Sequence, residues 1–478
     1  MKDDFATVWG GGLDPAAGKT LQRQLHTKIR TSILDGKLAG GTRLPASRML
    51  ASRLGVARIT VVQAYDQLVA EGYLETRTGA GTFVASGTPD QLTQTTSRSP
   101  ANNDFIAVQA QHTLLSGMPA LDQFPTAIWS RTTSRAMRKL NTDLMYHSNV
   151  MGYLPLRSNI ASYLQASRSV VCDASQIMIV TGLQQGLFLL AKSVLQPKAP
   201  IILEDPGYDG MLASANASNH PVRYTSVDDH GALPPKEAQG LLVTSPSRQY
   251  PLGHTMPHSR RLELLAWARR TNSLIFEDDY DSEFRYAGHP LNSLQGIDGG
   301  ERVIYGGTFS KSLFPALRLG YLVLPKHMIQ QVTRFRSATD SFPSISGQIA
   351  LNAFMEDGDF TRHIRRLRMI HAKRKNLFTN FADTHLKRFL DFQPSDAGLH
   401  LLAYSRDELL EFGLSDGKLA SLAQNAGIGA VPVSNCYQFA PRRQGLLAGF
   451  ANLPDETIET VVKKFARAIH TVLDTTTE

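Results

Sequence analysis

The sequence predicts an α/β protein in two folded parts. A small module of helices and one β-hairpin comes first, and a large body with a parallel or mixed sheet and a smaller α+β lobe follows. Three observations carry this reading. Residues 20–85 hold nine basic side chains against four acidic ones, whereas the rest of the chain is close to neutral. Residues 86–103 contain no aromatic residue and one large aliphatic, Leu92, which reads as a tether. From residue 176 onward, short apolar runs recur between helical stretches, as in a sheet covered on both faces. The expected division is a module at 14–85, a linker at 86–108 and a body at 109–478.

At 478 residues the chain exceeds one ordinary core and amounts to about three domains of roughly 150 residues. Hydrophobic residues make up 42% and charged ones 19%, enough to bury a large interior and exclude general disorder. Two cysteines, Cys172 and Cys436, exclude a disulfide scaffold and a four-cysteine zinc site, and no metal site is expected. No run approaches the length of a membrane span, and the amino terminus lacks the apolar core of a secretory signal. The expectation is a soluble, cytoplasmic protein.

In the module, Leu21, Leu25, Ile29 and Ile33 recur every fourth residue and define the buried stripe of a first helix. Leu44-Pro45-Ala46 turns the chain, with Ser47 as the expected N-cap of a short second helix that carries Leu50 and Leu54 and stops at Gly55. A third helix starts near Arg58 with Val61, Tyr65, Leu68 and Val69 inward. Thr60, Gln63 and Gln67 fall on its opposite face, uncharged but hydrogen-bonding, as base edges in a major groove require. Residues 73–85 form two β-rich arms around Gly79-Ala80-Gly81, a hairpin with Arg77 near its tip. Helix, helix-turn-helix and hairpin in this order make a winged helix. The expected DNA-binding set is Arg43, Ser47, Arg48, Arg58, Thr60, Gln63, Arg77 and Gly79, the arginines on phosphates and Thr60 and Gln63 on bases. A protein-binding winged helix is the alternative; the basic excess and Arg77 favour DNA.

In the body, several apolar runs end in residues suited to a phosphorylated heteroaromatic ligand. Gly182-Leu183-Gln184 turns a strand into a helix whose free amides can hold a phosphate. Tyr208 follows the next strand, Arg248 and Tyr250 the third, and Asp278 and Tyr280 the fourth; Thr308, Ser310 and Lys311 follow the fifth. Open sheets bind ligands outside the carboxyl ends of their strands, so these groups should gather. Pyridoxal phosphate needs such a set: a lysine to condense with its aldehyde, a carboxylate for the ring nitrogen, a phenol for the ring hydroxyl, an aromatic face, and hydroxyls with Arg318 for the phosphate. Taken singly, Lys311 is an ordinary surface lysine, Asp278 a helix cap, Tyr208 a core residue and Tyr250 a loop anchor. The conjunction of an acid at a strand end, a Ser-Lys pair and Arg318 decides against those readings.

Residues 44–84, LPASRMLASRLGVARITVVQAYDQLVAEGYLETRTGAGTFV, resemble the GntR-type DNA-binding domain. The strings FPTAIWSR, GYLPLRSNIASYL, EDPGY, EDDYDSEFRY and GTFSKSLFPALRLGYL make the body similar to a fold-type I aminotransferase. Together they resemble the MocR subfamily of GntR regulators over nearly the whole chain. The resemblance implies that Lys311 condenses with pyridoxal phosphate, Asp278 faces the pyridine nitrogen and Tyr280 bonds the ring hydroxyl. It also implies a homodimer that binds operator DNA and uses the body as a sensor.

Two departures qualify it. The aminotransferase pattern places an arginine near the carboxyl terminus to clamp a substrate carboxylate; Leu447 stands there, with Arg442 and Arg443 as possible replacements. The loop SRQYPLG carries Arg248 where relatives often have histidine, and its role stays open, contact with a second anion being one option. The expectation is therefore a non-catalytic sensor of pyridoxal phosphate controlling vitamin B6 genes. The alternatives are a regulator of amine or amino-acid catabolism whose effector condenses with the cofactor, and an active aminotransferase on a DNA-binding tether. Seven cations in residues 362–375 read as the solvated face of a helix with Ile364, Leu367 and Ile370 inward, a DNA track being the other option.

Overall fold

The computed structural model describes residues 12–14, 18–87, 116–146, 149–236, 239–288, 292–439 and 442–476. Beyond residue 87 the expected tether lies outside the described residues. The chain divides into two compact units, Met1–Ile106 and Ala107–Glu478.

In the first unit, helix α1 (Leu21–Leu34) buries Leu25, Ile29 and Ile33, with Leu21 half-buried at its start. Thr20 caps it by accepting from the Arg23 amide. Helix α2 (Ser47–Leu54) corrects the expected cap: Ala46 is the N-cap, no side chain caps the helix, and Ser47 is already its first helical residue. The turn is fixed instead from helix α3 (Arg58–Ala70), where the buried Tyr65 hydroxyl donates to the Pro45 carbonyl at 3.0 Å. Gly55 ends α2 in the left-handed region at φ 66°, which a side chain would resist. Val61, Tyr65 and Leu68 pack with Leu25, Ile29, Leu50, Leu74 and Val84 in one core, while Val69 is partly buried against it. Fully burying each such aliphatic is worth about 1.5–3 kcal/mol. Strands β1 (Leu74–Arg77) and β2 (Gly81–Val84) pair antiparallel with Arg77 opposite Gly81, and Gly79 takes φ 75° at the tip.

The second unit is built on an eight-stranded sheet among the described residues. Its strands are β3 (Ile177–Val180), β4 (Ile201–Asp205), β5 (Val222–Asp228), β6 (Gly231–Ala232), β7 (Leu241–Thr244), β8 (Leu274–Asp279), β9 (Val303–Thr308) and β10 (Gly320–Val323). The order is β3-β10-β9-β8-β7-β4-β5-β6. β9, β8, β7, β4 and β5 run parallel, and β10 lies antiparallel between β3 and β9. The carboxyl ends of β3, β4, β7, β8 and β9 therefore share one edge. Helix α4 (Leu154–Arg168) precedes β3, helices α5 (Leu183–Val194) and α6 (His258–Thr271) lie between strands, and two apolar clusters line the sheet through Val180, Leu187 and Phe276, and through Leu242, Trp267 and Ile275.

Helix α7 (Asp359–His385) leads to a second sheet of four antiparallel strands. These are β11 (Leu390–Phe392), β12 (His400–Ser405), β13 (Ala430–Pro432) and β14 (Gly445–Gly449), in the order β11-β12-β14-β13. The cationic run lies on α7, where Ile364 and Leu367 are buried and Ile370 is half-buried. Arg374 is itself buried and held by Asp122 and Asp455. Arg362, Arg366 and Arg368 bond to Asp359, Gln123 and the Glu283 carbonyl. The run thus serves mainly to tie the helix to its own body. Among the described residues no helix is long and apolar enough to cross a membrane.

Candidate functional site

The strand ends bring the expected residues of the body to one edge. Gly182 is the N-cap of α5, so the amides of that first turn lie at the carboxyl end of β3. Arg318 reaches this turn: a Cβ added at Gly182 would lie 3.5 Å from its guanidinium. Thr308 ends β9, and its hydroxyl accepts from the Ser310 amide at 3.2 Å. Turn amides, hydroxyls and guanidinium are the donors that a phosphate dianion needs. Leu183 is buried beneath them, and the Gln184 side chain is spent on the Gly210 carbonyl at 2.9 Å, so Gln184 contributes only its backbone.

The end of β8 alternates. Glu277 accepts from the Leu294 and Gln295 amides at 2.9 and 2.8 Å. Asp279 pairs with Arg168 at 2.9 Å and accepts from Ser282 and Tyr305. Asp278, between them, is 6% exposed, and its Oδ1 has no hydrogen-bond partner. It lines a cavity with Glu204, Tyr208, Ser245, Tyr250 and Cys436. Burial, with the neighbouring carboxylates of Asp279, Glu204 and Asp281, holds its pKa well above the ordinary carboxylate value. A buried acceptor without a donor is costly, and a protonated ring nitrogen supplies the missing donor. The residues present therefore fit pyridoxal phosphate.

Lys311 is partly buried, and its amine donates to the Gly117 carbonyl at 2.9 Å. Desolvation lowers its pKa, against the pull of Asp281 and Asp278. A lysine so placed is a better nucleophile than one in water. Tyr208 is half-exposed beside the cavity, and Tyr250 is a hub of rings. Its ring meets those of Tyr208, His400 and Tyr280 edge-on at 5.5, 5.7 and 6.2 Å. Glu204 knits this wall together by accepting from Thr244, Ser245 and Gln249, and burial raises its pKa to about 7.

Sequence reasoning missed Gly117, Asp281 and His400. Asp281 lies three residues after Asp278, a spacing that could have drawn notice; nothing local marks Gly117 or His400. Arg248 is buried among them, bonded to Tyr280, Asp281 and His400. Leu447 is fully buried opposite Leu402 and on the sheet face that carries His400. It clusters with Val433 and Cys436, and Tyr250 and Leu252 pack against the group. Its surroundings are thus apolar and aromatic side chains. Arg443 lies over the Tyr404 ring and Arg442 is exposed.

In the module, Arg43, Arg48, Arg58 and Gln63 are exposed and Thr60 and Ser47 half-buried. Arg77 is not a lone cation: it pairs with Glu75 and lies over the Phe83 ring at 4.6 Å. Gly79 allows the turn that carries it.

Residues 21–84 match the family of bacterial regulatory proteins called gntR, and residues 118–465 match aminotransferase class I and II. A probable rhizopine catabolism regulatory protein, MocR, of Rhizobium meliloti is 36% identical over 95% of each chain. The pyridoxine biosynthesis transcriptional regulator PdxR of Corynebacterium glutamicum is 30% identical, over 96% of this chain and 98% of that one. Among solved structures, an archaeal alanine:glyoxylate aminotransferase matches with a TM-score of 0.68 at 22% identity, over 77% of this chain and 93% of its own. That likeness establishes the fold of the body. The chain belongs to the MocR subfamily of GntR-type transcription regulators, a DNA-binding winged helix joined to an aminotransferase-like body.

Proposed function

We propose that the body binds pyridoxal phosphate at Lys311 and that occupancy changes the affinity of a homodimer for operator DNA, so that the protein senses the cofactor and controls vitamin B6 genes. The observation that carries this reading is the buried, unpartnered Oδ1 of Asp278 at the strand edge shared with Lys311. When bound, pyridoxal phosphate supplies an aldehyde for an amine and a ring that accepts electrons. The chain supplies the rest: Gly182, Thr308, Ser310 and Arg318 hold the phosphate, Asp278 the ring nitrogen, Tyr280 the ring hydroxyl, and Tyr208 a ring face. Leu447 supports a sensor in place of an enzyme, because a charge-assisted carboxylate contact worth about 1.5–3 kcal/mol has no counterpart there. The relative named for pyridoxine biosynthesis is consistent with this assignment. In this reading Arg43, Arg48, Arg58 and Arg77 contact phosphates and Thr60 and Gln63 contact bases, with Ser47 and Gly79 at their flanks.

A second reading is favoured by the same apolar surroundings of Leu447 and by the relative named for rhizopine catabolism: an amine lacking a carboxylate condenses with the cofactor and is the signal. One experiment separates the two. Duplexes selected by the full-length protein from a random pool are titrated at fixed salt, with and without pyridoxal phosphate. A change of affinity on adding the cofactor alone supports the sensor of pyridoxal phosphate; equal affinity in both arms overturns it.

A further inference from the structure

Arg248 is the one cation in the SRQYPLG loop, and the functions above leave it unused. It is 4% exposed; both terminal nitrogens of its guanidinium are bonded, while Nε has no hydrogen-bond partner. Nη1 lies 3.2 Å from the Tyr280 hydroxyl, 3.3 Å from Asp281 Oδ2 and 3.1 Å from His400 Nε2, while Nη2 donates to the His400 carbonyl at 3.1 Å. The guanidinium therefore joins the loop after β7, the segment after β8 and the start of β12. Gly398 makes room for it. A Cβ there would sit 2.4 Å from Cζ, and the backbone is held at φ 85°. Gly398 is fixed in turn by its own amide on the Phe284 carbonyl and by the Tyr286 hydroxyl on its carbonyl.

A guanidinium can only donate, so the Tyr280 oxygen must accept from it. The tyrosine has a single proton, and this contact turns that proton away from Arg248 toward another acceptor. We infer that Arg248 is a positioning residue: it aims the Tyr280 O–H at the ring oxygen of pyridoxal phosphate and holds that oxygen in its anionic form. The inference rests on the cofactor reading above. A histidine or lysine could not make these four contacts from one backbone position, because neither carries a planar fork of donors. Other charged and titratable groups also bear on the ring oxygen and on Arg248: Asp278 and Asp281 from β8 and the segment after it, Lys311 after β9, His400 on β12, and Tyr286 beside Gly398.

The test reads the visible band that forms when full-length protein is mixed with pyridoxal phosphate, followed as a function of pH. A positive charge near the ring oxygen favours its anion and disfavours protonation of the lysine–cofactor chromophore, so the wild-type midpoint lies low. Arg248→Gln should raise it by about one to two pH units, the size expected when the charge-assisted hydrogen bond that polarises the Tyr280 O–H is lost. Because Arg248→Gln leaves the Asp281 carboxylate unpaired, the pair Asp281→Asn and Arg248→Gln/Asp281→Asn provides a background without it. The double variant should titrate above the single one by the same amount. Introducing Tyr280→Phe should remove most of the difference, which a purely structural role of Arg248 would not predict. Equal midpoints with and without Arg248 in the Asp281→Asn background overturn the inference while leaving the cofactor reading intact. Absence of any visible band in the wild type overturns both.

Discussion

Replacing Arg168 with methionine should destabilise the body severely, and the structure gives the size. Arg168 closes α4, with its side chain 8% exposed against 1% for that of Asp279, and the two lie 2.9 Å apart. The guanidinium also donates to Ser247. Methionine fills similar space without charge, leaving the Asp279 carboxylate in a dry interior with only the hydroxyls of Ser282 and Tyr305. Removing one partner of a buried pair costs about 3–5 kcal/mol, because the other stays charged and poorly solvated. Against a typical stability of about 5–15 kcal/mol, that is a large share. The assay is urea unfolding followed by tryptophan fluorescence in a Trp9→Phe background, where the remaining tryptophans, Trp129 and Trp267, both belong to the body. The double variant Arg168→Met/Asp279→Asn should recover more than half of the loss. A single variant within about 1 kcal/mol of wild type would refute the reasoning, as would a double variant no more stable than the single one.

Asp278→Asn should leave the cofactor-free body at least as stable as wild type, since one of several crowded carboxylates disappears, yet weaken pyridoxal phosphate binding at least about tenfold, as read by fluorescence titration. Glu204 is protonated in the folded state up to about pH 7 but only to about pH 4.3 when unfolded. Its contribution to stability is complete below about pH 4.3 and is lost as pH rises through about 7; Glu204→Gln should flatten the decline in urea midpoint over that window. In the module, Arg48→Ala should reduce the salt dependence of DNA binding by about one unit of slope, measured by titration across salt concentrations. Arg77→Ala should reduce it less, because Glu75 already balances that charge.

Where local periodicity governs, the sequence was a good guide. The four-residue stripe of α1 and the inward face of α3 follow from side-chain spacing alone, and so does the hairpin from its glycines. The carboxyl-end rule brings Asp278, Tyr280 and Lys311 together because parallel strands end at one edge, and Arg318 joins them from the start of the antiparallel β10. Reading residues one at a time failed at Ser47, which looked like a cap because serine often is one, whereas Tyr65, eighteen residues later, holds the preceding turn from across the core. The pairing of Arg77 with Glu75, two positions back on the same side of the strand, needs the hairpin to be formed. The rest was out of reach for a different reason. Arg374 looked like any member of a cationic run, and its acids, Asp122 and Asp455, come from distant parts of the chain. His400 stands 152 positions from Arg248, and no local pattern encodes that encounter.

The Gly117 carbonyl has a bearing on how news of the ligand could leave the body. It is buried, it directly follows Ser116, and it accepts from the Lys311 amine. An amine engaged elsewhere has fewer hydrogens to give. Any molecule that captures this lysine must therefore offer that oxygen a new donor or let the backbone at Ser116 and Gly117 move.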